Sequence, residues 1–581
     1  MKLALVEKPE NTDFSEFDKV ISFCTDKHIN IEEYATLPEI FAIVEEIGLE
    51  LGIWLKKHNR KGYFTYRDID ILLAYELPIF DFLYNFCQKI FIIKKIIEKN
   101  SPDEIWISGK DCKDDPQYPS FNLFLKDLLP ENISLKYFNS DKKDTQRNVS
   151  DRSHANGFLQ KSFIATVASL FFRLSPKRNS GILIYSDLSQ TEGLLKCIDH
   201  KKIIFLREKF PLSLTPYFFK ERINLRLLSE FNAPEVLNKN YPEGAPNYFN
   251  DKLNALSDAL IIKNINVTPY LKNYLKAIWN KELRQTLETV DQSYLLFKRL
   301  KIISLLLDED KSVSKNILAQ VSGKYNVRSY VNCHGEPFHR VGYSPLIADR
   351  IFVWSPEQKD VLLQWGIESE KIIVSGCVKY EKYSGIPASR IKRKICRQLR
   401  LDLKKPLCLI TPIPISEGGH ILKKTIWQIN KEVIDTVCGF KDIQIIIKLH
   451  HSDISQKSIK ESIRKMNQSR VVVLTNYDSL ALAKGVDFLV ACHTTFAIDA
   501  IAYKKPVILF EEQSVEKYGK YNVFYDGTNK EKLIGSINAV TVNLGNNNTT
   551  KYDCDARPVF VEEKTASCIL AEVLEEMPKN G

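Results

Sequence analysis

No Cys-x-x-Cys pair occurs among the twelve cysteines of this 581-residue chain. That excludes a zinc ribbon and a dithiol redox motif. Several cysteines, Cys408 and Cys492 among them, sit in or beside apolar runs and read as small buried hydrophobes. Scattered thiols of this kind imply a reducing, cytoplasmic setting. No stretch reaches the roughly 20 apolar residues that span a bilayer. The amino terminus, MKLALVEKPENTD, has too short an apolar run for a secretory signal and reads as a first strand. The nearest approach to a membrane segment is Ser162 to Phe172, SFIATVASLFF, between Lys161 and Arg173. A core or interdomain helix is its favoured reading, and peripheral contact at the cytoplasmic face of the inner membrane is the alternative.

What is present is an ordinary globular composition, 44% apolar and 27% charged. The length asks for two or three domains. Eighty-two basic residues against 72 acidic ones leave a net charge of +10. That balance suits nucleotide phosphates, acidic glycans or an anionic membrane surface, and it does not call for nucleic acid.

Along residues 1–140, Leu3 to Val6, Val20 to Phe23, Glu104 to Ile107 and Ser134 to Phe138 read as strands. Between them, Leu37 to Lys57 and Pro78 to Lys99 carry helical spacing, which predicts an α/β region with a parallel sheet. Residues 141–180 form a connection, opening on the polar run Asn139 to Asn156 and containing the apolar segment above. A strand at Gly181 to Tyr185 opens the region 181–380, and the loop behind it offers Asp187 and Glu192 as acceptor contacts or as a base. Residues 210–310 read as mostly helical. A basic hinge, 381–405, precedes a carboxyl-terminal domain, 406–581.

The stretch from Ile445 to Phe510 organises the rest. Four apolar runs, 445–447, 471–474, 488–491 and 507–510, read as buried parallel strands, and Thr494 to Tyr503 reads as a helix with a hydroxyl N-cap. Ligands of such units bind beyond the carboxyl ends of the strands, so Lys448, His450, Thr494 and Thr495 are expected to face one crevice. A cation, an imidazole, two hydroxyls and the free N–H groups of a helix start make a cradle for a phosphate diester or diphosphate. Earlier in the same domain, Glu417, Gly418 and Gly419 precede a helix expected over 421–437 and are further candidates for donor contact.

These residues resemble the nucleotide-sugar half of GT-B glycosyltransferases, and within them the CDP-glycerol glycerophosphotransferases and the bacterial CMP-sialic acid and CMP-Kdo transferases of capsule and surface polysaccharide. Their Lys-x-His-Pro is similar to Lys448-Leu449-His450-His451, with His451 in the proline position. Their hydroxyl pair, acidic residue and Lys-Pro are similar to Thr494-Thr495, Asp499 and Lys505-Pro506. Upstream, Tyr330-Val331-Asn332-Cys333-His334-Gly335-Glu336-Pro337 resembles the Trp-His-Gly-Thr-Pro loop that supplies a catalytic histidine in the CDP-glycerol enzymes. Non-hydrolysing UDP-N-acetylglucosamine epimerases share a similar progression. The resemblance implies an α/β GT-B fold, two Rossmann-like domains facing a central cleft, with extra helices in the amino-terminal half. It also implies transfer of a sugar or polyol phosphate from a CMP- or CDP-linked donor to a glycan or lipid-linked glycan. His334, Glu336 and His450 are then the catalytic candidates. No cofactor and no metal are expected, because no Asp-x-Asp cluster stands beside these motifs. A UDP-sugar transferase, a UDP-sugar 2-epimerase and a non-catalytic polysaccharide-assembly scaffold are the alternatives.

Overall fold

In the computed structural model of the chain the described residues form three wholly parallel sheets and two small antiparallel pairs, Thr65–Tyr66 with Ile69–Asp70 and Ile261–Ile262 with Ile265–Asn266. The structure describes all residues except 7–12, 24–28, 60–61, 109–120, 122–123, 139–177, 209–217, 219, 222, 232–244, 338, 416–421, 451–452, 467–468, 493–494, 513–523, 546–564 and 577–581. The expected linker at 139–156 and the apolar segment at 162–172 therefore lie outside the described residues.

The first sheet runs, edge to edge, Ile29–Asn30, Lys19–Ser22, Lys2–Val6, Glu104–Ser108, Ser134–Phe138. The central sheet runs Asn224–Leu227, Ile203–Arg207, Ser180–Tyr185, Lys301–Leu307, Arg328–Asn332, Arg350–Val353, Ile372–Val374. The third runs Val471–Leu474, Gln444–Lys448, Leu407–Thr411, Phe488–Ala491, Val507–Leu509, Phe524–Asp526. In all three the chain starts mid-sheet, builds out to one edge, then crosses to the other side of its first strand. That is the Rossmann strand order, and the reversal beside the first strand opens a crevice at its carboxyl end. The expected α/β class and the two large Rossmann-like sheets are thus present, with a smaller parallel sheet ahead of them.

Burial on both faces explains why these runs are nearly continuous Ile, Leu and Val. Helices Lys423–Cys438 and Lys530–Gly545 cover one face of the third sheet with Val433, Val437, Ile537 and Val540. The terminal helix Ala566–Glu575 instead returns to the central sheet, where Leu570 and Leu574 join Ile184, Leu306 and Phe352. Helices Leu37–Asn59 and Glu76–Asn100 belong to the first unit. The second of these packs on the long helix Thr268–Arg299, with Phe82 stacked on Tyr274 at 4.4 Å between ring centroids.

Among its described residues, region 210–310 is mostly helical, as expected, with the helices Ala245–Asn254 and Thr268–Arg299, but it also holds the strands Asn224–Leu227 and Lys301–Leu307, and the latter lies at the middle of the central sheet. Only Leu300 separates the long helix from this strand, so no breaker marks the change, and an apolar run alone does not distinguish a buried strand from a buried helix. Among the described residues, no helix is long and apolar enough to cross a membrane.

Candidate functional site

At the central crevice, strands Ser180–Tyr185 and Lys301–Leu307 pair side by side and end in Ser186-Asp187 and in Asp308-Glu309-Asp310. The Asp187 N–H donates to Asp308 Oδ2 at 3.2 Å, and Lys315 pairs with Asp308 at 2.6 Å and Glu309 at 2.9 Å. The next strand, Arg328–Asn332, delivers the loop Cys333-His334-Gly335 to the same edge. His334 Nδ1 lies 3.0 Å from the Asp308 carbonyl oxygen, and its exposed ring stacks nearly parallel to Tyr343. A carbonyl only accepts, so Nδ1 carries the proton and Nε2 keeps a lone pair for a substrate.

The loop around this ring is pinned from several sides. Tyr343 donates to Gly335 O at 3.2 Å, and the Trp354 indole donates to Cys333 O at 2.9 Å. Glu336 accepts from the Gln358 amide at 2.8 Å, and His339 Nδ1 meets Glu45 Oε1 at 3.0 Å. His334 is therefore oriented by Asp308 rather than by Glu336 or His339. The Asp187 and Glu192 side chains are exposed on the adjoining loop, and Gln190 O of that loop accepts from Asn332 Nδ2 at 3.2 Å.

At the crevice of the third sheet, strands Leu407–Thr411 and Phe488–Ala491 lie side by side. Thr411 is buried at the tip of the first, and its hydroxyl has no hydrogen-bond partner among the described residues. The second leads into the helix Thr495–Ala502. A Cβ built on Gly335 would lie 3.6 Å from Thr495 Oγ1, so the His334 loop of one sheet and a helix start of the other touch. One turn along this helix, Asp499 is buried and accepts from Tyr380 Oη at 2.8 Å and pairs with Lys379 at 2.8 Å. Burial alone would depress the Lys379 pKa, but the Asp499 carboxylate overrides it and holds the ammonium above its ordinary value. The same ammonium stands over the Trp354 ring at 4.6 Å. The His334 loop, the turn Val378–Tyr383 and this helix are thus joined in one circuit. The motif acid Asp499 serves that circuit.

The Lys448 ammonium is bonded across strand tips, and His450 lies on the loop that follows. The Lys448 ammonium donates to Thr475 O at 2.7 Å and Leu449 O at 3.1 Å, and burial lowers its pKa. It ties two strand tips together instead of opening on the crevice, because the adjoining strand Val471–Leu474 presents carbonyls within its reach. His450 is exposed, and its carbonyl accepts from Asp453 N–H at 3.1 Å. The Ile454 N–H bonds to Ile415 O at 2.8 Å, which zips this loop to the one after the first strand. His451, Thr494, Glu417, Gly418 and Gly419 lie outside the described residues.

A cavity of about 240 Å³ lies at neighbouring strand ends. Its walls include Ile413, Phe510 and Leu533, its polar rim Glu511, Glu512 and Asn529, and Leu37, Pro38 and Phe41 of the first unit also line it. The first unit reaches further. The Glu32 carboxylate accepts the Lys424 N–H at 2.6 Å and also the Thr425 N–H, capping the helix Lys423–Cys438 from outside its own unit.

Sequence reasoning missed Asp308, Glu309 and Lys315, and with them that Asp308-Glu309-Asp310 is an Asp-x-Asp sequence lying against the His334 loop. Their signal was legible: a run from Ile302 to Leu307 broken by three consecutive acids. It also missed the buried group in which Lys311 pairs with Glu76 at 2.8 Å while Asp310 accepts the Ile347 and Ala348 N–H groups. No sequence signal joins Glu76 to Lys311.

No protein-family model matches the chain, and no curated protein matches it in sequence. Among solved structures it is similar to the UDP-GlcNAc 2-epimerase of Methanocaldococcus jannaschii, at 13% identity and a TM-score of 0.44, over 68% of this chain and 99% of that one. It is similar to the Neisseria meningitidis enzyme of the same name, bound to UDP-GlcNAc, at 11% identity and a TM-score of 0.44, over 68% and 99%. It is also similar to a variant of the wall teichoic acid polymerase TagF soaked with CDPG, at 13% identity and a TM-score of 0.38, over 72% and 97%.

Proposed function

We propose that this protein is a glycosyltransferase that moves a sugar or polyol phosphate from a cytidine-nucleotide donor to a glycan acceptor. The supporting observation is the meeting of two sheets at one point, with Gly335 of the histidine loop against Thr495 of the helix start. In this reading the donor phosphate lies at that helix start, beside the Thr411 hydroxyl, which has no partner among the described residues. The nucleoside enters the cavity rimmed by Glu511 and Glu512, whose carboxylates accept ribose hydroxyls. His334 Nε2 takes the proton of the attacking acceptor hydroxyl as the bond from that oxygen to the transferred group forms. The bond to the leaving nucleotide breaks, and its electron pair stays on a phosphate oxygen stabilised by N–H groups and hydroxyls already in place. The cytidine preference, the surface-glycan acceptor and the cytoplasmic setting follow from the motif resemblance.

Calorimetric titration of purified protein with CMP, CDP, UMP and UDP tests this reading. The cytidine nucleotides should bind more tightly, and His334→Ala should bind them as the parent does. Preferential UDP binding would redirect the assignment to a UDP-sugar transferase or 2-epimerase. Absence of binding to all four would remove the nucleotide-dependent reading.

A further inference from the structure

Cys197 and Cys568 are 371 positions apart in the chain, yet their sulfurs lie 3.2 Å from one another. Cys197 ends the short turn Leu194–Lys196, with its N–H bonded to Leu194 O at 3.0 Å. Cys568 sits in the first turn of the terminal helix Ala566–Glu575, where its N–H donates to the side chain of the capping Thr565. Both backbones are held independently of the sulfurs. Ser567 donates its N–H and hydroxyl to the Glu381 carboxylate at 2.8 and 2.6 Å, and Ser304 Oγ donates to Leu574 O at 2.8 Å. Gly193 lies so close beneath the helix that an added Cβ would be 2.5 Å from Ser567 Oγ. Among the described cysteines, the other seven are buried, while Cys197 is exposed and Cys568 half-buried.

We propose that Cys197 and Cys568 form an oxidation site, at which exchange with a low-molecular-mass disulfide closes an intramolecular disulfide that straps the terminal helix to the central sheet. One protein thiolate attacks the small disulfide, breaks its S–S bond and releases one small thiol. The second protein thiolate then attacks the mixed disulfide and releases the other. Two protein sulfurs are oxidised, two reagent sulfurs are reduced, and the protons lost by the protein thiols end on the released thiols. A disulfide bond needs about 2.05 Å between sulfurs, so side-chain rotation must bring them about 1.2 Å closer. The covalent loop then encloses the turn Val378–Tyr383 and the whole third sheet.

Partial desolvation of its sulfur, then the neighbouring Cys568, push the Cys197 thiol up to about 11. The thiolate is the attacking form, so closure speeds up as pH rises.

The test uses the full, reduced chain incubated with oxidised glutathione at several pH values, quenched with N-ethylmaleimide and mapped by mass spectrometry. The expected product is a cross-link between the Cys197 and Cys568 peptides, two hydrogens lighter than the reduced pair. It should form faster as pH rises, be absent from Cys197→Ser, and give the oxidised parent a higher melting temperature than the reduced one. Persistent glutathione adducts on the separate cysteines, or two alkylated thiols with no cross-link, would overturn the proposal. A cross-link that leaves the melting temperature unchanged would overturn its strapping role.

Discussion

A single hydrogen bond decides what His334 can do. With Nδ1 donating to the Asp308 carbonyl at 3.0 Å, Nε2 is the ring nitrogen left for the proposed base role. Removing it as His334→Ala should cost a factor of about 10² to 10⁴ in turnover, as loss of a general base does. The melting temperature should stay close to that of the parent, because the ring is exposed. Steady-state transfer assays beside thermal melts measure both, and a loss below tenfold would contradict the role. Asp70 shows a charge held against its preference. It is buried at the head of the turn Ile71–Ala74, and burial raises its pKa from 3.8 to about 6, against the lowering effect of the Leu73 and Leu72 N–H groups. A carboxyl with a raised folded pKa favours the folded state when protonated. Its contribution is therefore fully present below about pH 4 and is lost as pH climbs through 6, by about 3 kcal/mol. Asp70→Asn keeps a capping oxygen and removes the charge. It should raise the melting temperature at pH 8 and flatten its fall between pH 4 and 7, and a lower melting temperature at pH 8 would refute the account.

At the scale of elements, the helix Leu37–Asn59 and the turn Ile31–Tyr34 before it span both halves of the cleft. Gly48 lets the loop after His334 approach, since a Cβ there would lie 3.0 Å from Val341. Phe41 stacks on His339 of the same loop, while Glu32 caps the helix Lys423–Cys438. A helix lacking a capping side chain loses about 1 kcal/mol. Glu32→Ala should therefore lower stability by about that amount in urea melts and speed amide hydrogen exchange at Lys424 and Thr425. Unchanged exchange at those two amides would show that the contact does not hold the units together.

Across the whole molecule, the first unit is joined to the central one by buried charge as well as apolar packing. Glu76, at the start of its second long helix, pairs with Lys311, and both are about 2% exposed. Burial lifts the Glu76 carboxyl to about 7, with the Lys311 cation acting in the opposite direction. Deleting one member strands the other, which costs roughly 3–5 kcal/mol, whereas replacing both with apolar groups is often neutral. Glu76→Ala should thus be severely destabilised in urea denaturation, and Glu76→Ala with Lys311→Met should recover most of the loss. Failure of the second change to recover stability would mean that Glu76 acts by packing rather than by charge.

Local pattern sufficed wherever the physics was local. Strands such as Gln444–Lys448 and Phe488–Ala491, and helices such as Leu37–Asn59 and Ala566–Glu575, follow from apolar spacing and capping residues, and the chemistry of His334 and Thr495 follows from residue type. The strand Lys301–Leu307 escaped because a buried run has no period to read. Only the tertiary structure decided which strand tips meet. It brought Thr495 against Gly335, turned Lys448 toward Thr475, carried Glu32 to a helix 392 residues away, and set Cys197 beside Cys568. Strand order and the docking of one unit on another are set by the burial of whole faces, and no short window of sequence contains both partners of such a contact.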